Sequence, residues 1–363
     1  MAVRRNQLSH INISGYKSIK KCTLALNKIN VLIGSNGAGK SNFISALSLL
    51  QSVLNHTMQL TVGQSGINSL FYNGRKITDE IGIEVYFNNN FYGFNLIPTD
   101  DNRIIFRREY YGYNDFKSIV ASGHDESKWE NGVPNGIDQY VRPILAKQNW
   151  RVYHFHDTGR SAKVKQEHNI SNNKVLMFDA SNLAAFLYRL KLNYEQSYQE
   201  IVRTIQLIAP YFDDFVLEPQ EGNEEQIVLK WQQKGCEDIF NASQLSDGTL
   251  RFICLTTLLL QPHELQPATI IVDEPELGLH PYAITIFSEM VKQLSDEKQI
   301  IISTQSVELL NEFDVEDVIV VDRSENGSTF SRLDAEDLEM WLENDYALGD
   351  LWKKNIFGGR LSR

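Results

Sequence analysis

Residues 29–47 read INVLIGSNGAGKSNFISAL, and this stretch decides the fold. Ile29 to Ile33 is almost uninterruptedly apolar, as befits a strand covered on both faces. Gly34, Ser35, Asn36, Gly37, Ala38, Gly39, Lys40 and Ser41 then follow the spacing GxxxxGK[ST], after which Phe43, Leu47, Leu50 and Leu54 recur at helical intervals. Strand, glycine loop and helix in that order make a phosphate cradle. Glycines let backbone N–H groups curl around β- and γ-phosphates at the positive end of the helix, where side chains would intrude. Lys40 is expected to neutralise phosphate oxygens, and Ser41 to place its hydroxyl on Mg2+.

Working outward, apolar alternation at Leu8, Ile11 and Ile13 and again at Leu24 and Leu26 predicts two short strands ahead of the loop. Beyond it, IGIEVYF, FYGFNLIP and RIIFRREY between Ile81 and Tyr111, turning at Asn88-Asn89-Asn90, predict an antiparallel side sheet. Gly136 to Phe215 reads as helix-rich, with Leu183, Phe186, Leu187 and Leu190 on one face. The second half alternates: the strand IVLKW, a helix from Asp247 to Leu260, TIIV, a helix from Pro281 to Leu294, QIIIS, a short helix and DVIVV. Such apolar strands separated by helices imply a parallel sheet covered on both sides. The expected architecture is α/β, a mainly parallel core sheet with an antiparallel side sheet and an inserted helical lobe. Its divisions fall at 1–135 for the N-terminal half, 136–225 for the helical insertion, 226–333 for the C-terminal half and 334–363 for an acidic helix and tail.

Ala268 to Pro281 reads ATIIVDEPELGLHP, an apolar strand ending in adjacent carboxylates. Asp273 is expected to hold Mg2+ together with Ser41, and Glu274 to orient and deprotonate the attacking water. Ser243 to Thr249 reads SQLSDGT and opens an apolar helix. Ser246, Gly248 and that helix N-terminus form a second anion site, one that cannot easily reach the loop of its own fold, so it faces the γ-phosphate held by another copy. Taken alone, the same residues would make an ordinary N-cap.

Together these motifs resemble the ABC-type P-loop ATPases of the SMC, RecF and OLD group, especially small AAA-type ATPases. The resemblance rests on GSNGAGKS, QLSDGT, IIVDEPELGLHP, IISTQS and the opening ISGYKSIKK, and spans almost the whole chain. It implies that Gly278 to His280 form a D-loop crossing a dimer interface and that Gln305 occupies the γ-phosphate switch position usually held by histidine. An amide hydrogen-bonds phosphate or water but carries no proton, so slow hydrolysis is expected, with ATP acting partly as a long-lived clamp. Asp247 stands where a glycine is common, and no glutamine is assigned to the Q-loop. The resemblance further implies a homodimer or larger assembly closed around ATP, and an effector on a separate polypeptide, a TOPRIM-like nuclease or a toxin as in anti-phage systems. No counterpart of the TOPRIM domain of OLD nucleases is expected among these residues, and Asp322 reads as the end of the last core strand. The alternatives are a RecF-like DNA clamp acting in repair and, with less support, a transporter ATPase subunit.

Net charge is −11 and hydrophobic content 42%, a balance of ordinary globular chains that repels nucleic acid on average. DNA contact would need a local patch such as Arg103, Arg107 and Arg108, or Arg160, Lys163 and Lys165. Cys22, Cys236 and Cys254 form no CxxC pair, and no apolar run is long enough for a membrane span or leader; a cytoplasmic protein is expected. Trp150 to Gly159 reads WRVYHFHDTG. His154 and His156 share a strand face, as a metal site would require, but without obvious further ligands a structural role is the better reading.

Overall fold

The computed structural model describes residues 7–145, 150–342 and 346–359. In chain order the strands are β1 His10–Tyr16, β2 Ile19–Ala25, β3 Ile29–Ile33, β4 Ile81–Phe87, β5 Asn90–Pro98, β6 Ile104–Tyr113, β7 Phe116–Ala121, β8 Trp150–Tyr153, β9 His168–Asn169, β10 Phe212–Val216, β11 Pro219–Gln220, β12 Asn223–Ile227, β13 Lys230–Gln233, β14 Ile239–Asn241, β15 Thr269–Asp273, β16 Gln299–Thr304, β17 Val318–Ser324 and β18 Gly327–Arg332. The helices are α1 Lys40–Leu54, α2 Met58–Ser65, α3 Ile67–Leu70, α4 Arg142–Leu145, α5 Leu183–Asn193, α6 Glu195–Ile208, α7 Asp247–Leu260, α8 Pro281–Leu294, α9 Val307–Leu310, α10 Ala335–Leu342 and α11 Leu348–Lys353.

Two compact units divide the chain. The first runs to Val152 and adds Ala268–Ile271 and the chain from Glu297; the second comprises Tyr153–Pro267 and Val272–Asp296. The core sheet has the order β18-β17-β3-β16-β15-β8. Its centre is parallel as expected: β16 pairs with β3 so that Thr304 lies opposite Ile33, and β17 pairs with β3 with Val320 opposite Ile33. All five residues of β3 and all six of β16 are buried, which is why both read as apolar runs rather than as alternation. The antiparallel sheet has the order β2-β1-β4-β5-β6-β7, and one hydrophobic cluster joins Ile11, Ile13, Val85 and Phe94 from it to Leu32, Ile301 and Ile319 of the core sheet through Phe43, Leu47 and Leu50 of α1.

The outer face of the antiparallel sheet carries a charged network. Burial pushes the Glu84 carboxyl up, but hydrogen bonds from Lys117, Asn12, Tyr110 and Tyr86 outweigh it and hold the group at about 2. Inside the same sheet, Glu109 is fully buried on β6 and accepts from Tyr92 Oη, Ser127 Oγ, the Lys128 N–H at 2.8 Å and His124 Nε2 at 2.9 Å.

In the second unit, helix occupies only Leu183 to Ile208 of the stretch expected to be helix-rich. The chain from His154 to Asn182 is mostly irregular because its Gly, Ser, Asn and Lys residues offer no apolar period to bury. Tyr198, Ile201, Val202 and Ile205 form the buried stripe of α6. The expected strand IVLKW is broken: Ile227 ends β12 and Lys230 begins β13, and these strands belong to different three-stranded sheets, β11-β12-β9 and β10-β13-β14. Trp231 of β13 stacks between Phe212 and Phe240 at ring separations of 5.9 and 5.0 Å.

Helices α7 and α8 have the bounds expected from sequence. Strand β17 does not end at Asp322; it continues to Ser324 and turns into β18, with Ser324 opposite Gly327. Of the acidic segment, α10 covers Ala335–Leu342, while residues 343–345 and 360–363 of the expected helix and tail lie outside the described residues. Among the described residues, no helix is long and apolar enough to cross a membrane.

Candidate functional site

In the first unit the glycine loop is clasped from several sides. Lys40 is 4% exposed and folds its ammonium back onto the loop, donating to the carbonyls of Gly34 at 2.6 Å and Ser35 at 3.2 Å. Gly39 precedes α1 at φ 124°, and a Cβ there would sit 2.2 Å from Ser328 Oγ, so no other residue fits. Ser328, on β18, donates to the Ala38 carbonyl and shares a 2.7 Å hydrogen bond with Ser18, which also receives the Asn42 amide at 2.6 Å. The Ser35 N–H donates to the Gly359 carbonyl at 2.6 Å, so the chain after α11 closes the loop's entry. Arg323 Nη1 lies 3.5 Å from the Gly37 carbonyl. It also lines a cavity of about 610 Å³ with Lys17, Ser18, Asn42 and Asn68, polar and free of carboxylates. Ser41 is exposed in the first turn of α1. Because Thr304 is level with Ile33, Gln305 follows β16 at the level of Gly34.

The second unit brings together the signature residues, the expected D-loop and the acidic strand end. Ser246 caps α7 by accepting from the Thr249 N–H at 3.1 Å, as an ordinary N-cap would. The same hydroxyl shares a 2.8 Å hydrogen bond with the Thr249 hydroxyl, so both oxygens are gathered at the start of α7. A Cβ on Gly248 would lie 2.3 Å from the Gly278 carbonyl; signature and D-loop touch backbone to backbone. Asp247 is 68% exposed, with Lys165 Nζ 3.7 Å away. His280 caps α8, its Nδ1 accepting from the Tyr282 N–H at 3.2 Å.

Asp273 and Glu274 differ sharply in state. Asp273 Oδ1 is buried with no hydrogen-bond partner among the described residues, as expected of a carboxylate shaped for a cation. Glu274 has φ 43°, the left-handed region that a residue with a Cβ enters only at a cost of about 1–2 kcal/mol. His154 Nδ1 stands 3.8 Å from Asp273 Oδ2, and His156 Nε2 donates to the Asp273 carbonyl at 2.9 Å. Burial holds the His154 imidazole below its ordinary value while the Asp273 carboxylate opposes that shift. Among the described residues no group of three or more His, Cys, Asp or Glu is placed to hold a metal ion; His156 bonds the acidic strand end and His154 lies beside it.

Sequence reasoning did not single out Arg251, Ser328 or Gly359. Arg251 is 7% exposed on α7 and donates Nε to the Phe155 carbonyl at 2.9 Å, Nη2 to the His156 carbonyl at 3.0 Å and Nη1 to the Leu277 carbonyl. The basic patches considered for DNA are largely neutralised. Arg103 bonds Asp101 and Asp125, Arg107 bonds Glu80, and Lys163 lies 3.5 Å from Asp179.

Among curated proteins the chain is similar to the Old nuclease of Escherichia phage P2, 24% identical over 92% of this chain; it spans 62% of that protein's length. Among solved structures it is similar to an Smc head bound to the C-winged helix domain of ScpA, with TM-score 0.61, 16% identity and coverage of 92% of this chain and 99% of that one. A second likeness is an Smc head with an extended coiled coil bound to the C-terminal domain of ScpA from Pyrococcus furiosus, with TM-score 0.57, 16% identity and coverage of 93% and 99%. Both likenesses concern the fold. Residues 29–311, from β3 through α9 and the residue after it, match the family described as "AAA domain, putative AbiEii toxin, Type IV TA system". The chain belongs to that family, and it shares the fold of the Smc heads.

Proposed function

We propose that this chain is an ATP-driven switch: it binds ATP with Mg2+, closes with a second copy around the nucleotide, hydrolyses it slowly, and in the closed state governs a separate nuclease or toxin. In this reading Gly34, Ser35, Asn36, Gly37, Ala38, Gly39 and Lys40 take the phosphates, Ser41 and Asp273 take Mg2+, Glu274 activates water and Gln305 meets the γ-phosphate. Mg2+ supplies charge neutralisation between phosphates, and the orphaned Asp273 Oδ1 fits that ion. Ser246 and Gly248 take the triphosphate of the partner copy. The observation that carries the reading is in the second unit, where Gly248 lies so close to the Gly278 carbonyl that it has no room for a side chain, and Arg251 of the same helix donates to the Leu277 carbonyl, beside the exposed Ser246 and Asp247. An anion-receptive turn built that firmly suits a rigid partner face.

The phage relative's name supports a nuclease effector, and the family description supports a toxin. The alternative DNA clamp loses support from the carboxylates that occupy Arg103 and Arg107. Gel filtration tests closure: Glu274→Gln is expected to elute as a larger species with ATP and Mg2+ than without, and Glu274→Gln with Lys40→Ala to lose the shift. An elution volume that ATP leaves unchanged sinks the proposal. The clamp aspect has its own measurement. Gln305→His, restoring a proton-carrying side chain, is expected to raise steady-state phosphate release several-fold, about 1 kcal/mol of barrier; a rate no higher than the parent's counts against slow turnover being set at this position.

A further inference from the structure

The segment His154 to Lys165 has no part in the reading above, yet it is bonded at both ends of the second unit's chemistry. His156 Nε2 donates to the Asp273 carbonyl at 2.9 Å. That carbonyl belongs to the peptide whose nitrogen is that of Glu274, so the hydrogen bond fixes one of the two planes that define φ of Glu274. The φ in question is 43°, a conformation a glutamate leaves as soon as nothing holds it. Leu277 N–H to the Glu274 carbonyl, at 3.4 Å, closes the following turn only loosely. His156 supplies a direct grip on the preceding peptide.

His156 is itself held. Its own carbonyl receives Arg251 Nη2 at 3.0 Å, and the neighbouring Phe155 carbonyl receives Arg251 Nε at 2.9 Å. Arg251 sits five residues beyond Ser246 on α7, and its remaining arm reaches the Leu277 carbonyl. A guanidinium's donors lie in one plane in a fixed fork, so three carbonyls from two segments are pinned in one orientation. Further along, Lys165, 7% exposed, donates to the Thr158 carbonyl at 2.5 Å and stands 3.7 Å from Asp247.

We infer that His156, braced by Arg251, is a positioning residue that holds Glu274 in its left-handed backbone conformation and so aims the carboxylate, connecting α7's first turn to the hydrolytic acid. The catalytic part of this inference rests on the proposed role of Glu274; the conformational part stands on geometry alone. The imidazole is exposed, so its removal leaves the core intact. His156→Ala releases the Asp273–Glu274 peptide, and His156→Gln keeps an N–H donor at similar reach.

Two measurements test it together. In crystals of the parent and of His156→Ala, φ of Glu274 is expected to be positive in the first and negative in the second; a positive φ in both overturns the inference whatever the chemistry proves to be. In ATPase assays His156→Ala is expected to lower kcat about tenfold or more, since small misplacements of a reacting group are costly. KM for ATP should stay within about twofold and unfolding temperature should not change, while His156→Gln recovers most of the rate. An alanine variant keeping more than half the parent's kcat, or a glutamine variant falling as far as alanine, also overturns it. A parent that hydrolyses no ATP, or hydrolyses it equally well as Glu274→Gln, instead defeats the reading of Glu274 and leaves the crystallographic comparison to decide the inference.

Discussion

Glu274→Gln is expected to lower the rate of phosphate release at saturating ATP by roughly 10²–10⁴-fold, the range that a positioned general base contributes. The substitution keeps length and shape, keeps one acceptor oxygen, and removes the charge and with it the ability to take a proton from water. Backbone geometry argues that this side chain is kept for chemistry. At φ 43° a glycine or asparagine would be less strained, and a strained non-glycine residue persists where its side chain is needed. Asp273, the residue before it, has a buried oxygen without a hydrogen-bond partner among the described residues, which suits the cation-holding role proposed for it and leaves water activation to Glu274 in that proposal. Titration of a fluorescent ATP analogue should give a Kd within about threefold of the parent's, because the loop from Gly34 to Ser41 is untouched. Phosphate release within about threefold of the parent's would show that another group activates water.

The motifs with backbone chemistry were legible in the sequence, and those with side-chain packing were not. Glycine spacing, an apolar strand before the loop and a helical period after it admit few structures, and α7 and α8 begin at Asp247 and Pro281 because Ser246 and His280 cap them. The β18 strand was missed because GSTFSR alternates weakly and follows a polar turn, although it supplies the Ser328 that seats the loop. IVLKW reads as one strand by composition but parts at Val228 and Leu229, where the chain passes from one small sheet to another, a decision made by tertiary pairing. His154 and His156 were expected to share a strand face, but β8 ends at Tyr153 and it is the irregular chain after it that brings both imidazoles to Asp273. Arg251 carries no sequence signal of its role, because its partners are carbonyls 26 and 96 residues away in sequence. Glu109, inside RREYY, gave no sign of burial at all.

That last residue carries the largest stability effect. Glu109→Ala is expected to destabilise the first unit by about 3–5 kcal/mol, the cost of breaking a buried charged network by removing one member. Its carboxylate, with no exposure, accepts from Tyr92, Ser127, His124 and the Lys128 N–H, so alanine strands several donors and opens a void beside the Phe106–His124 stack, whose rings lie 4.6 Å apart. Burial, and then the Glu109 charge, push the Tyr92 hydroxyl well above its ordinary value, so it stays a donor and cannot take over the anion's part. Glu109→Gln keeps one acceptor oxygen and turns an amide toward groups that also donate, and should cost less, about 1–3 kcal/mol. Urea unfolding followed by tryptophan fluorescence measures both; Trp129, whose Nε1 donates to the Leu54 carbonyl, lies beside the network and α1. With total stabilities commonly 5–15 kcal/mol, the alanine variant removes a large fraction of the margin, yet the protein that remains folded should bind ATP normally because the loop is seated by Ser328 and Gly359, away from Glu109 in sequence and network. An alanine variant losing less than about 1 kcal/mol would mean the network is solvated in solution, and one that stays folded but binds ATP weakly would tie the antiparallel sheet to the nucleotide directly.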